Sequence, residues 1–142
     1  LNDEICETTT RGMFVTMIVG VYDKNKNELL LSNAGHEPPL IFSKDGNFKT
    51  IDEAGPPLGI APNFKFTEQI ISFKESSMYI FTDGITEMKN NNGEMLGQEG
   101  FQDYIKKYQS TPNNKRLQKM IEDLISSGRI QKDDLTIVTV DG

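Results

Sequence analysis

The chain has 142 residues, 36% hydrophobic and 25% charged, which are the proportions of one soluble globular domain with a core of its own. Its 15 Lys and Arg against 21 Asp and Glu give a net charge of −6, which excludes non-specific nucleic-acid binding through a basic surface and docking on anionic membranes. A single cysteine, Cys6, excludes an intrachain disulfide and fits a reducing, cytoplasmic compartment, and no apolar run approaches the ~18 residues of a membrane span.

The first residues, "LNDEICETTT", have neither a basic stretch nor an apolar one, so they do not read as a signal peptide. They also lack an initiator Met, and the expectation is a chain cut from something longer. Cys6 reads as an incidental thiol. The run "MFVTMIVGVY" (Met13 to Tyr22) is rich in β-branched and aromatic residues and almost continuously apolar, which predicts a strand buried on both faces. A polar turn, Asp23 to Glu28, and a second strand, "LLLSNAG" (Leu29 to Gly35), complete a hairpin. "PLIFSKDGNFKTI" (Pro39 to Ile51) predicts another hairpin, turning at Asp45-Gly46. Residues Glu53 to Asn63, "EAGPPLGIAPN", read as a long loop, and "KFTEQIISF" (Lys65 to Phe73) and "SMYIF" (Ser77 to Phe81) as two strands.

After Asp83 the pattern changes. Between Gly97 and Gln109, Phe101, Tyr104, Ile105 and Tyr108 recur at helical spacing. Between Ser110 and Gly128, Leu117, Met120, Ile121, Leu124 and Ile125 form one apolar helix face, read as core; Thr111 is the expected cap, Pro112 the first helical residue and Gly128 the stop. A last strand, "LTIVTV" (Leu135 to Val140), follows "KDD". Strands, two helices and a strand predict an α/β fold of the α+β kind with mostly antiparallel sheet.

Acids stand at two strand ends. Asp83 follows "MYIF", and Asp133-Asp134 precede "LTIV". If those strands pair antiparallel, the acids meet at one edge of a sheet, where like charges repel unless a cation lies between them. A hard divalent ion with oxygen ligands is the simple remedy, and Gly84, lacking a Cβ, permits close approach. Taken singly, Asp-Gly is also a common turn and Asp before a strand a common cap, so both readings stand on the residue pattern alone.

Five phrases in order carry more: "GMFVTM" (Gly12 to Met17), "SNAGHEPPL" (Ser32 to Leu40), "GPPLGI" (Gly55 to Ile60), "FTDGITE" (Phe81 to Glu87) and "DDLTIV" (Asp133 to Val138). From about Gly12 to Val140 the chain resembles the C-terminal portion of bacterial PP2C-type serine phosphatases of the sporulation stage II E and sigma-B-regulator class. The resemblance implies a single domain, 1–142, of two packed, mainly antiparallel sheets flanked by helices. It implies phosphoserine or phosphothreonine hydrolysis by a water that two Mn²⁺ or Mg²⁺ ions activate. Asp83 and Asp133 are the implied metal ligands. Gly84 and Asp134 stand beside them, Asp134 at a position where eukaryotic relatives usually carry Asn. The implied substrate is a phosphoserine on a regulatory protein of the anti-sigma-factor-antagonist type, with a sensor or receiver domain upstream in the parent.

The family's earlier metal motif begins with Gly-Asp, and this chain has no Gly-Asp dipeptide. The expectation is therefore an N-terminally truncated PP2C-like domain, weak or inactive alone, able to hold one cation loosely, and prone to self-association through uncovered sheet edges. The competing expectation is a non-catalytic, pseudophosphatase-type interaction module. His36, the only histidine, reads as structural within a strand and turn, "GPPLGI" as a packing loop, and Arg11 as surface near a strand start.

Overall fold

A computed structural model describes residues 1–9, 12–51 and 54–142 of the chain, and Arg11 lies outside the described residues. The described strands fall into two sheets accompanied by helices, an α+β fold, and the chain divides into two compact units: Leu1–Ser77 with Gly142, and Met78–Asp141.

The first unit opens with a helix that the sequence pattern does not announce, α1 (Asn2–Thr8). Seven residues without a buried side chain are marginal as an isolated helix. Tertiary hydrogen bonds hold it instead: the Asn2 amide donates to the Ala61 carbonyl at 2.9 Å and accepts the Gly59 N–H at 3.1 Å, and Asp3 accepts the Asn63 N–H at 2.6 Å.

The strands β1 (Met17–Asp23), β2 (Glu28–Ala34) and a later one, β5 (Gln69–Ser72), form an antiparallel sheet in the order β1-β2-β5. The predicted hairpin is present, its turn closed by the Asp23 carboxylate accepting the Asn25 and Lys26 N–H groups. Side chains alternate between faces. Leu29 and Leu31 are buried on one face, whereas on the other Val21, Leu30 and Ile70 stand in register, with Val21 62% and Ile70 70% exposed. This corrects the expectation that Met13 to Tyr22 is buried on both faces. The strand starts at Met17, Met13, Phe14 and Val15 are exposed, and β1 is an edge strand with one face open to solvent among the described residues.

The second predicted hairpin is also present: β3 (Leu40–Ser43) pairs antiparallel with β4 (Phe48–Thr50). Gly46 sits in its turn at φ 86°, a conformation that glycine adopts without strain. Leu40 and Ile41 are fully buried.

The strand β6 (Ser76–Phe81) begins at the end of the first unit and runs into the second. There it is followed by α2 (Asp83–Thr86), α3 (Gly97–Tyr108), α4 (Asn113–Ser126) and β7 (Ile137–Asp141). The stripe on α3 is core as its spacing predicts: Phe101 and Ile105 are fully buried, and the Phe101 ring meets Phe81 edge-on with centroids 4.8 Å apart. On α4 the predicted face is narrower. Met120 and Leu124 are buried, but Ile125 is 58% exposed. Arg116 is buried on the same helix, ion-paired with Asp141, its guanidinium 5.9 Å from the Tyr79 ring centre. Burial pushes the Tyr79 hydroxyl above its ordinary pKa, opposed by the charge of Arg116. The helix also starts one residue later than predicted. Pro112 takes the extended ψ of 137° at the cap, and no side chain caps the end.

Candidate metal-binding edge of strands β6 and β7

The acid-bearing segments are brought together by strand pairing. At one end the Thr82 N–H donates to the Thr136 carbonyl at 3.2 Å, and at the other the Gly142 N–H donates to the Ser76 carbonyl at 2.9 Å. As one strand advances the other retreats, so β6 and β7 are antiparallel neighbours, as the acid pattern requires. The C-terminal end of β6, leading into Asp83, therefore lies beside the start of β7, which follows Asp133-Asp134.

Side chains tighten this junction. The Thr82 hydroxyl donates to the Asp134 carbonyl and accepts the Thr136 N–H, each at 3.1 Å. A Cβ added to Gly84 would overlap that same Asp134 carbonyl oxygen. Gly84 is a glycine because two backbones touch there; its φ is not in the left-handed region.

Asp83 is not only a turn residue. It opens α2, a single turn of helix absent from the sequence reading, in which its carbonyl accepts the Glu87 N–H at 2.8 Å and the Thr86 hydroxyl at 3.1 Å. A carboxylate in a first turn faces the positive end of the backbone dipoles. Asp133 accepts the Asp134 N–H through its own carboxylate at 2.8 Å, and its carbonyl accepts the Gln131 amide at 2.9 Å. Asp83, Asp133 and Asp134 are all exposed, and none forms an ion pair among the described residues.

The donor set suits a hard divalent cation in kind: carboxylate oxygens, solvent access for the waters such an ion keeps, and a glycine that lets the two segments close up. In number it is short. Among the described residues no three or more His, Cys, Asp or Glu are grouped to hold a metal ion. Beside the junction opens a groove of about 490 Å³, walled by Ile85, Leu124, Ile125 and Ile137 with Asp134 and Thr136 in its lining. The sequence reading missed this groove and the part played by Thr82. The signal for Thr82 is its type: a hydroxyl residue placed where a strand ends and an acid opens a helix.

The other singled-out residues lie in the first unit, in structural roles. The ring of His36 meets the Thr16 hydroxyl at 3.2 Å, and its backbone is bracketed by the buried Asn33 side chain, which accepts the His36 N–H and donates to its carbonyl, each at 2.9 Å. Leu58 of "GPPLGI" is buried, and its backbone exchanges two hydrogen bonds with Val15, which ties that loop to "GMFVTM". Cys6 is half-buried.

Residues 1–141 match the family described as Stage II sporulation protein E. The chain belongs to that family. It is 32% identical to Protein IcfG of Synechocystis over 98% of its length and 22% of the relative's. To Phosphoserine phosphatase RsbU of Bacillus subtilis it is 26% identical, over 99% of its length and 42% of RsbU. The chain thus spans less than half of either relative. In three dimensions it is similar to the Mn-presoaked structure of the phosphatase domain of the cell fate determinant SpoIIE from Bacillus subtilis, at a TM-score of 0.69, 18% identity, and coverage of 98% of this chain and 61% of that one. The fold of this SpoIIE-family chain is accordingly that of PP2C phosphatase domains. No helix among its described residues is long and apolar enough to cross a membrane.

Proposed function

We propose that the chain is the C-terminal part of a metal-dependent protein serine/threonine phosphatase domain, in which Asp83 and Asp133 each give a carboxylate to Mn²⁺ or Mg²⁺ while Gly84 and Asp134 fix their spacing. The observation that supports it most is the junction itself: antiparallel β6 and β7 bring "TDG" and "DDLT" into backbone contact at Thr82, Gly84 and Asp134. When bound, such cations lower the pKa of the attacking water and offset charge on the phosphoryl oxygens. The chain's own share is to hold negative charge at a solvent-open strand edge and to keep two segments in register.

One or two carboxylates bind Mg²⁺ or Mn²⁺ weakly, so the chain alone is weak or inactive, and the remaining donors come from the rest of the parent protein. Its substrate in this reading is a phosphoserine on a regulatory protein of a bacterial sigma-factor switch, in the cytoplasm, under control of an upstream sensor or receiver domain. The RsbU and SpoIIE relatives support that direction. The open face of β1 makes self-association part of the same reading, and a monomeric mass at high concentration would count against it. The shortage of ligands favours one alternative, a non-catalytic interaction module of the same fold.

The deciding experiment measures phosphate release from a phosphoserine protein by the full-length parent, with and without Mn²⁺, and by its Asp83→Asn and Asp133→Asn variants. Metal-dependent turnover lost in both variants is the expected result. Absence of any metal-dependent turnover in the parent leaves the interaction module.

A further inference from the structure

We infer that Thr82 is a positioning residue, whose hydroxyl sets the spacing between the Asp83 carboxylate and the Asp133-Asp134 pair; this rests on the cation-binding reading above. A threonine at a helix N-cap ordinarily turns its side-chain oxygen to a free N–H of the first turn. Thr82 stands at the N-cap of α2 and makes no such bond. Its hydroxyl points across to the other segment, donating to the Asp134 carbonyl and accepting from the Thr136 N–H.

The reason lies in how the chain leaves the sheet. In an antiparallel ladder, residues of a hydrogen-bonded pair exchange both N–H···O bonds. Thr82 and Thr136 make the first of these, Thr82 N–H to Thr136 carbonyl. The second is not made by the Thr82 carbonyl, which has turned to accept the Ile85 N–H of α2 at 3.1 Å. The hydroxyl takes its place as acceptor for the Thr136 N–H. Pairing thus extends to the last residue before Asp83 while the backbone is already entering a helix. The hydroxyl's own proton then reaches two residues back along the opposite segment, to the carbonyl of Asp134, the oxygen that also seats against Gly84. The three bonds of Thr82 to the opposite segment lie immediately before one candidate ligand and within one to three residues of the other, Asp133. A shift of the hydroxyl therefore becomes a shift between carboxylates.

Thr82→Val keeps the shape and removes the hydroxyl; Thr82→Ser keeps the hydroxyl and loses a methyl. Both are compared with the unaltered chain and Asp83→Asn by titrating Mn²⁺ alone into isotope-labelled protein and following paramagnetic broadening of backbone amides, with thermal unfolding as the control for folding. The expected result is broadening centred on Asp83 and Asp133-Asp134, an affinity for Thr82→Ser within about two-fold of the unaltered chain, and one for Thr82→Val roughly ten-fold weaker, the scale of one or two lost hydrogen bonds. A folded Thr82→Val with unchanged affinity overturns the role of Thr82 and leaves the cation site standing. An unaltered chain without localised broadening removes the cation site and the role of Thr82 with it. Should Thr82→Val not fold, amide exchange in the unaltered chain decides. A protected Thr136 N–H, further slowed by Mn²⁺, supports the coupling, because linkage is reciprocal. A rate indifferent to Mn²⁺ overturns it.

Discussion

Strands β1 and β6 look alike as strings, "MIVGVY" against "SMYIF", and meet opposite fates. On β6, Met78, Tyr79 and Phe81 are buried; on β1, Val19 and Val21 are more than half exposed. The difference lies in what each unit supplies. In the second unit α3 places Phe101 against Tyr79 and Phe81, and α4 places Arg116 over the Tyr79 ring. In the first unit the start of α1 reaches only the Met17 and Val19 end of the outer face of β1, and Val21 and Ile70 on that face meet solvent. A continuous apolar run therefore specifies a strand, while burial of its second face depends on a partner from elsewhere.

The largest effect is expected from Phe101→Ala. It removes a fully buried ring between two others and is expected to cost about 3–5 kcal/mol, read as a lower denaturant midpoint. A loss under 1 kcal/mol would mean that α3 is not what buries β6. Next comes Arg116→Ala, which takes the guanidinium away from the Asp141 carboxylate and from the Tyr79 ring. Because Asp141 is 30% exposed, a loss of about 2 kcal/mol is expected, below the ~3–5 of a fully buried pair. Gly84→Ala puts a methyl group into the Asp134 carbonyl and is expected to cost about 1–3 kcal/mol, with the amide shifts of residues 133–136 moving in a spectrum.

Against these, Val21→Ser with Ile70→Ser is expected to change the stability of the monomer, measured at low concentration, by no more than about 0.5 kcal/mol each, because in the single chain both side chains face water. A large loss there would mean that β1 is covered in solution. The smallest effect belongs to the exposed Lys107–Asp123 pair joining α3 to α4. A hydrogen bond from Lys107, helped by one from Tyr108, holds the Asp123 carboxyl below its ordinary pKa. Its contribution is therefore present above the ordinary carboxylate range and lost as pH falls through the lowered value. Asp123→Asn should lower Tm slightly at neutral pH and not at all in acid, and salt should erase the difference.

Much of this was legible in the residues. Asp45-Gly46 marked a hairpin, Phe101 and Ile105 marked a buried helix face, and acids at the end of one strand and the start of another marked a shared edge. The short helices α1 and α2 were not legible. Segments of seven and four residues carry too little periodicity, and tertiary hydrogen bonds from Asn2, Asp3 and Thr82 hold or place them. The burial of Arg116 escaped for a related reason: a guanidinium enters a core only where Asp141 and the face of Tyr79 await it, and both come from other elements.

By itself the sequence determined the local alternation and periodicity, hence the main strands and the two long helices, and the order of phrases that marks the SpoIIE family. Which faces are dry, which residue of the Asp83 turn reaches across to Asp134, and how near the acid-bearing segments come follow from the folded chain alone. Periodicity is a property of neighbours along the chain, whereas burial and the use of a hydroxyl depend on groups that folding brings from dozens of residues away.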